Sequence, residues 1–149
     1  MSALREPRLV VSFEVYGVAQ PQGSKTAFVR NGRAVLVEGR RGASREAFAG
    51  WRAAVATAAR DWQQGHNAPL YDGALALEVL FYLPRPKSLK KSILYPATRP
   101  DLSKLVRCLE DALTGVVISD DSRIIDLRAV KWFARDCPPK AVVRIYEVY

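Results

Sequence analysis

A chain of 149 residues, 49% hydrophobic and 26% charged, is one domain's worth of sequence with enough apolar residues for an ordinary core. Its 23 Lys and Arg against 15 Asp and Glu leave a formal net charge of +8, which suits a polyanionic partner, nucleic acid first, or a basic protein–protein adaptor. Two cysteines, Cys108 and Cys137, and a single histidine, His66, argue against a disulfide framework and a zinc centre. No apolar run is long enough to cross a membrane, and Met1–Pro7 lacks the apolar stretch of a signal peptide, so a cytoplasmic protein is expected.

In chain order, Leu9–Tyr16 alternates and is rich in Val and Phe, which predicts a strand. Gly17–Thr26 breaks the pattern as a loop. Asn31-Gly32 between Ala27–Arg30 and Arg33–Val37 predicts a hairpin, because both residues tolerate the positive φ of a tight turn. Ser44–Gln64 predicts a helix capped by Ser44 and ended by Gly65, with Phe48, Trp51, Val55, Ala58 and Trp62 on one face. Ala74–Leu83 reads as a buried strand. Pro84–Pro100 holds four prolines with Arg85, Lys87, Lys90, Lys91 and Arg99, and predicts a flexible basic loop. Asp101–Thr114 predicts the clearest helix: Leu102, Leu105, Val106, Leu109, Ala112 and Leu113 share a face, Asp101 caps the free amides and Gly115 stops it. Strands at Arg123–Ala134 and Ala141–Tyr149 follow, joined through Asp136-Cys137-Pro138-Pro139. The order implies one α+β domain over 1–149, a mixed β-sheet with two main helices packed on it.

Chemistry concentrates after Pro100. Asp101 stands at a helix start, and Asp120 and Asp121 stand in a turn before a strand. Carboxylates where backbone ends converge suit Mg²⁺, which takes one or two of them, keeps water, and completes its shell with phosphate oxygens. Such an ion orients a phosphodiester and activates water to attack it. Each residue also has an ordinary use, Asp101 as a helix cap and Asp120-Asp121-Ser122 as a turn. At about 100° per residue, Lys104, Arg107 and Asp111 share the polar face of the helix, with Asp101 at its edge.

Arg99-Pro100-Asp101-Leu102-Ser103-Lys104-Leu105-Val106-Arg107, then Asp111-Ala112-Leu113-Thr114-Gly115, then Asp120-Asp121-Ser122-Arg123-Ile124-Ile125, resembles the RusA family of Holliday junction resolvases. Tyr16-Gly17, Pro21-Gln22-Gly23-Ser24-Lys25-Thr26, Arg85-Pro86-Lys87-Ser88 and Lys131 add to the likeness, which runs from about Val11 to Val143. The resemblance implies a homodimer that cuts four-way DNA junctions with Mg²⁺, Mn²⁺ being a substitute. It implies that Asp101 and Asp121, with Asp120 adjacent, hold the metal, and that Arg107 stands where the family has a catalytic basic residue, typically lysine. Lys25, Arg85, Lys87, Lys90, Lys91, Lys104 and Lys131 form the expected DNA-contacting set.

Two departures bear on activity. The family has a second aspartate two residues after the first, and this chain has Ser103 there. A neutral hydroxyl is a weaker ligand, so Asp120 or Asp111 compensates, or the chain binds junctions with weakened or no cleavage. Arginine at 107 does not readily give up a proton, which assigns it to phosphate or transition-state charge. Asp111 itself reads as an ion-pair or orienting residue. Gly23-Ser24-Lys25-Thr26 lacks the first glycine and the helix of a nucleotide-binding loop, and Ser24 and Ser44 have no His/Asp partners in view for nucleophilic catalysis.

Overall fold

The structure, a computed structural model, describes residues 6–23, 25–38 and 43–148, with backbone only at 25–28, 35–38 and 43. Ser24, the segment Met1–Arg5 read above for a signal peptide, and Tyr149 lie outside the described residues. Strands β1 (Arg8–Tyr16), β2 (Lys25–Arg30) and β3 (Arg33–Glu38) precede helix α1 (Ala43–His66). Strand β4 (Leu75–Leu83), helix α2 (Leu102–Leu113), a 3₁₀ turn (Asp121–Arg123), β5 (Ile124–Phe133) and β6 (Lys140–Glu147) follow.

Four strands form one sheet in the order β1-β6-β4-β5. β4 runs parallel to β5 and antiparallel to β6, and β1 pairs antiparallel with β6, so the sheet is mixed. The expected α+β architecture, one domain with two helices on a mixed sheet, is what forms. β2 and β3 make a separate hairpin across Asn31-Gly32, whose φ angles of 53° and 73° are the positive pair that a tight turn requires.

β4 positions the core. Leu75, Leu77, Val79, Phe81 and Leu83 are buried, and the residues between them are half-buried. The odd positions pack with Val11, Val15, Val143 and Ile145 of the neighbouring strands, with Trp51, Val55 and Ala59 of α1, and with Leu105, Leu109 and Leu113 of α2. The opposite face is held by charge across the register: Arg144 opposes Glu78, with Nη1 donating to Oε1 at 3.0 Å.

Three helix ends differ from expectation. α1 begins at Ala43, so Ser44 lies inside the helix and is not its cap. α1 runs through Gly65 and ends after His66, because Asn67 takes the left-handed conformation (φ 49°) and the amides of Asn67 and Ala68 bond back to Gln64 and Gln63. Asp101 is the first flanking residue of α2, yet its side chain makes no capping hydrogen bond. Its carbonyl accepts the amides of Lys104 and Leu105, and its carboxylate faces the Lys104 ammonium at 3.9 Å. Gly115 ends α2 as expected, at φ 80°.

Segment 84–100 contains no helix or strand, as its prolines predict. Side chains strap it down. Arg85 donates to the carbonyls of Ile93 (2.6 Å) and Lys90 (2.8 Å). Lys131 Nζ donates to the carbonyls of Thr98 (2.6 Å) and Pro100 (2.9 Å), and Arg135 to that of Leu94 (3.2 Å). The strap thus wraps the end of β5 and delivers Asp101 to the start of α2.

Candidate active site

α2 is amphipathic, so its buried side fixes where its polar side points. With Leu105, Leu109 and Leu113 locked into the core, the polar positions form a wall between two grooves.

One groove, about 550 Å³, lies between the start of α2 and the loop after β1. Asp101 and Lys104 line it from α2, Arg99 and Pro100 from the strap, and Val18–Gly23 from the loop. The Gln22 amide bonds the Lys104 carbonyl at 2.9 Å, which ties that loop to α2. Oε1 of Gln22 is buried with no hydrogen-bond partner among the described residues.

The other groove, about 740 Å³, is the acidic one. Ser103, Arg107, Glu110 and Asp111 project from successive turns of α2, Asp121 comes from the 3₁₀ turn, and Leu127 and Ala129 of β5 form part of the lining. Ser103, Arg107 and Glu110 are neighbours because three- and four-residue steps return to the same helix face. Burial, then the nearby charges of Asp121 and Asp111, push the Glu110 carboxyl above its ordinary value, and Arg107 opposes that shift.

The predicted acidic residues are therefore distributed. Asp121 shares a groove with Ser103, Arg107, Glu110 and Asp111, whereas Asp101 lines the groove on the other side of α2. Asp120 caps the 3₁₀ turn: Oδ2 accepts the Ser122 amide at 3.0 Å, and its hydrogen bonds from Ser122 hold its carboxyl below the ordinary range. Among the described residues, no three His, Cys, Asp or Glu side chains close on one point. The donor chemistry still fits a hard divalent ion, since Mg²⁺ needs only one or two protein carboxylates when water and phosphate complete its shell.

The predicted cations divide in the same way. Lys104 lies beside Asp101, and Arg107 lies in the acidic groove. Lys87, Lys90 and Lys91 are exposed on the strap. Arg85 and Lys131 have their donors engaged by strap carbonyls. Lys25 opens β2, and its side chain lies outside the described residues. Sequence reasoning left Glu110 without a role. Its signal was available in the spacing, seven residues after Ser103 and three after Arg107 on a helix.

Comparison with known proteins gives the family. The family model described as "Endodeoxyribonuclease RusA" matches residues 20–146. The chain belongs to the RusA family. RusA proteins are endodeoxyribonucleases, and the match takes in the acidic groove, the strap and the whole of α2. A Bacillus subtilis (strain 168) relative, "Uncharacterized protein YqaN", is 30% identical over 148 residues, covering 93% of this chain and 96% of its own length. No helix among the described residues is long and apolar enough to cross a membrane.

Proposed function

We propose that this RusA-family endonuclease is a Mg²⁺-dependent enzyme, with Mn²⁺ as a substitute, that resolves four-way DNA junctions in recombination and repair. It works as a cytoplasmic homodimer. The observation that carries the reading is the acidic groove, where Asp121 and Glu110 stand beside Arg107. Asp121, with Asp120 adjoining and Glu110 beside it, would hold the ion in that groove, and Asp101, which lines the neighbouring groove at the start of α2, would complete the acidic surround. Bound there, the ion supplies positive charge at the scissile phosphate and a more acidic water.

The protein's own groups do the rest. Arg107 presents a planar fork of donors that matches two phosphate oxygens and steadies charge that builds on them. Ser103 supplies a neutral hydroxyl. The Asp101 carboxylate orients the Lys104 ammonium at the mouth of the second groove. The strap lysines 87, 90 and 91 track the DNA backbone, while Arg85 and Lys131 hold the strap in place. On its outer side β5 pairs with no further strand among the described residues, and it exposes Ile125 (64%) and Leu127 (48%) next to the acidic groove. A second copy seated there would bring a second groove, one for each strand to be cut.

Ser103 favours a second reading, a junction-binding protein with weakened cleavage. One assay separates the two: cutting of a synthetic four-way junction, with linear duplex as control, in Mg²⁺ and in EDTA. Paired nicks in the junction alone, lost in EDTA and in Asp121→Asn, are expected. Equal cutting by Asp121→Asn would refute the proposed mechanism. Tight binding without cutting, together with a large gain in Ser103→Asp, would establish the second reading.

A further inference from the structure

On the face of the sheet away from the helices, the strap and the end of β5 enclose an aromatic hollow of about 330 Å³. Register fixes this placement. Phe81, buried against the helices, opposes Lys131, so Trp132 and its partner Tyr82 point the other way. Tyr82, Leu94, Tyr95, Trp132, Phe133 and Arg135 line the hollow.

Two rings in it are exposed for their type. Tyr95 is 60% and Trp132 is 39% accessible, although Trp is normally well covered. Their centroids are 5.9 Å apart and their planes are tilted by 51°, so the pair opens as a wedge and does not close as a stack. The wedge is built rather than incidental. Arg135 bonds the Leu94 carbonyl, and Arg85 both staples the strap and lies 5.1 Å over the Phe133 ring. Two guanidinium groups stand at it: Arg135 in the lining, and Arg85 over the Phe133 ring.

Aromatic faces bordered by cations are the chemistry that holds unpaired nucleobases, because stacking accepts any base while the cations hold the phosphates beside it. We propose that the hollow takes an unstacked base of the bound DNA, resting on the reading of this protein as a branched-DNA nuclease. The occupant is a base rather than a purely apolar partner because Arg135 and Arg85 stand at the hollow and the chain carries +8 overall. Tyr95 and Asp101 lie on one strap, six residues apart, so they are within about 22 Å of each other. That is roughly six nucleotide steps along one strand. A base captured here would fix how far the branch point lies from the phosphate at the start of α2. A branch point supplies such a base at least cost, since pairing and stacking are already interrupted there.

The test uses a synthetic four-way junction with 2-aminopurine beside the branch point, and a single-stranded oligonucleotide. Binding is compared for the parent, Tyr95→Ala, Trp132→Ala and Trp132→Phe, with melting curves confirming that each is folded. Loss of one stacked base is expected to weaken binding on the order of 5- to 150-fold in the alanine variants, and to change the 2-aminopurine signal of the complex. Trp132→Phe should recover most of the affinity, and the salt dependence should stay as in the parent, because no phosphate contact is removed. Alanine variants that bind like the parent, while a Lys87→Ala, Lys90→Ala, Lys91→Ala triple variant binds more weakly, would overturn the base site and leave the DNA reading standing. A parent that binds neither DNA would bring down both. Alanine variants that turn a dimeric parent into monomers would identify the hollow as a self-association face and overturn the proposal.

Discussion

Glu110 shows what a single side chain can report about the acidic groove. Burial and the charges of Asp121 and Asp111 raise its carboxyl above the ordinary value, so the folded protein holds the proton more tightly than the unfolded chain does. The group therefore favours folding below the ordinary carboxylate range, about pH 4, and that contribution is lost as pH rises through the raised value. Above that value the ionised carboxylate opposes folding relative to a neutral side chain. In EDTA, Glu110→Gln should melt above the parent at neutral pH, and the two should converge below about pH 4. A constant offset across that range would mean that the substituted amide packs differently and that charge is not the cause. At this scale the sequence was partly legible. Asp121 and Arg107 were expected at the site and share a groove, and Asp120 takes the turn role that its position in Asp120-Asp121-Ser122 allows. Glu110 was not expected to act there, because only packing decides which of Glu110 and Asp111 is desolvated beside the 3₁₀ turn. Asp101 was expected to cap α2, but its side chain points to Lys104, a choice between two local partners that propensity does not resolve.

Among the elements, α2 matters most, because its buried face sets the aim of Ser103, Arg107 and Glu110. Leu109 is wholly buried midway along that face. Leu109→Ala should destabilise the protein by about 2–5 kcal/mol, read as a lower urea midpoint with unchanged slope. A loss below about 1 kcal/mol would show that the core closes around the gap and that α2 is not held as described. α2, the hairpin and β4 were all legible, for three different reasons: a helical apolar period, the Asn-Gly turn, and an apolar run of strand length. Residue spacing also marked the prolines of 84–100 as irregular. What it could not give was the fastening of that segment. The Lys131 and Arg135 bonds to it reach 31 to 41 residues along the chain. The parallel pairing of β4 and β5 was hidden for the same reason, since it depends on α2 crossing between them.

For the whole molecule, the question is where a net charge of +8 acts. An even spread would give weak, diffuse attraction to any polyanion, whereas a local track gives contacts that can be removed one at a time. Several cations are already committed within the protein. Arg8 pairs with Glu147, Arg123 with Asp72, Lys140 with Glu14, and Arg144 with Glu78. Arg85 and Lys131 are bound to backbone carbonyls. Lys87, Lys90 and Lys91 lie instead on an exposed, irregular strap. Each phosphate contact made by such a lysine releases counterions, and the logarithm of duplex affinity falls by about 0.9 per contact for each tenfold rise in salt. Replacing all three with alanine should therefore flatten the salt slope of junction binding by about 2.7, with little change in melting temperature because exposed surface charges contribute little to stability. A slope equal to the parent's would remove the strap from the DNA path and move the phosphate track to Lys104, Arg107 and the grooves beside α2. A slope flattened by about one would leave a single strap lysine on the backbone, and single substitutions at 87, 90 and 91 would then identify it.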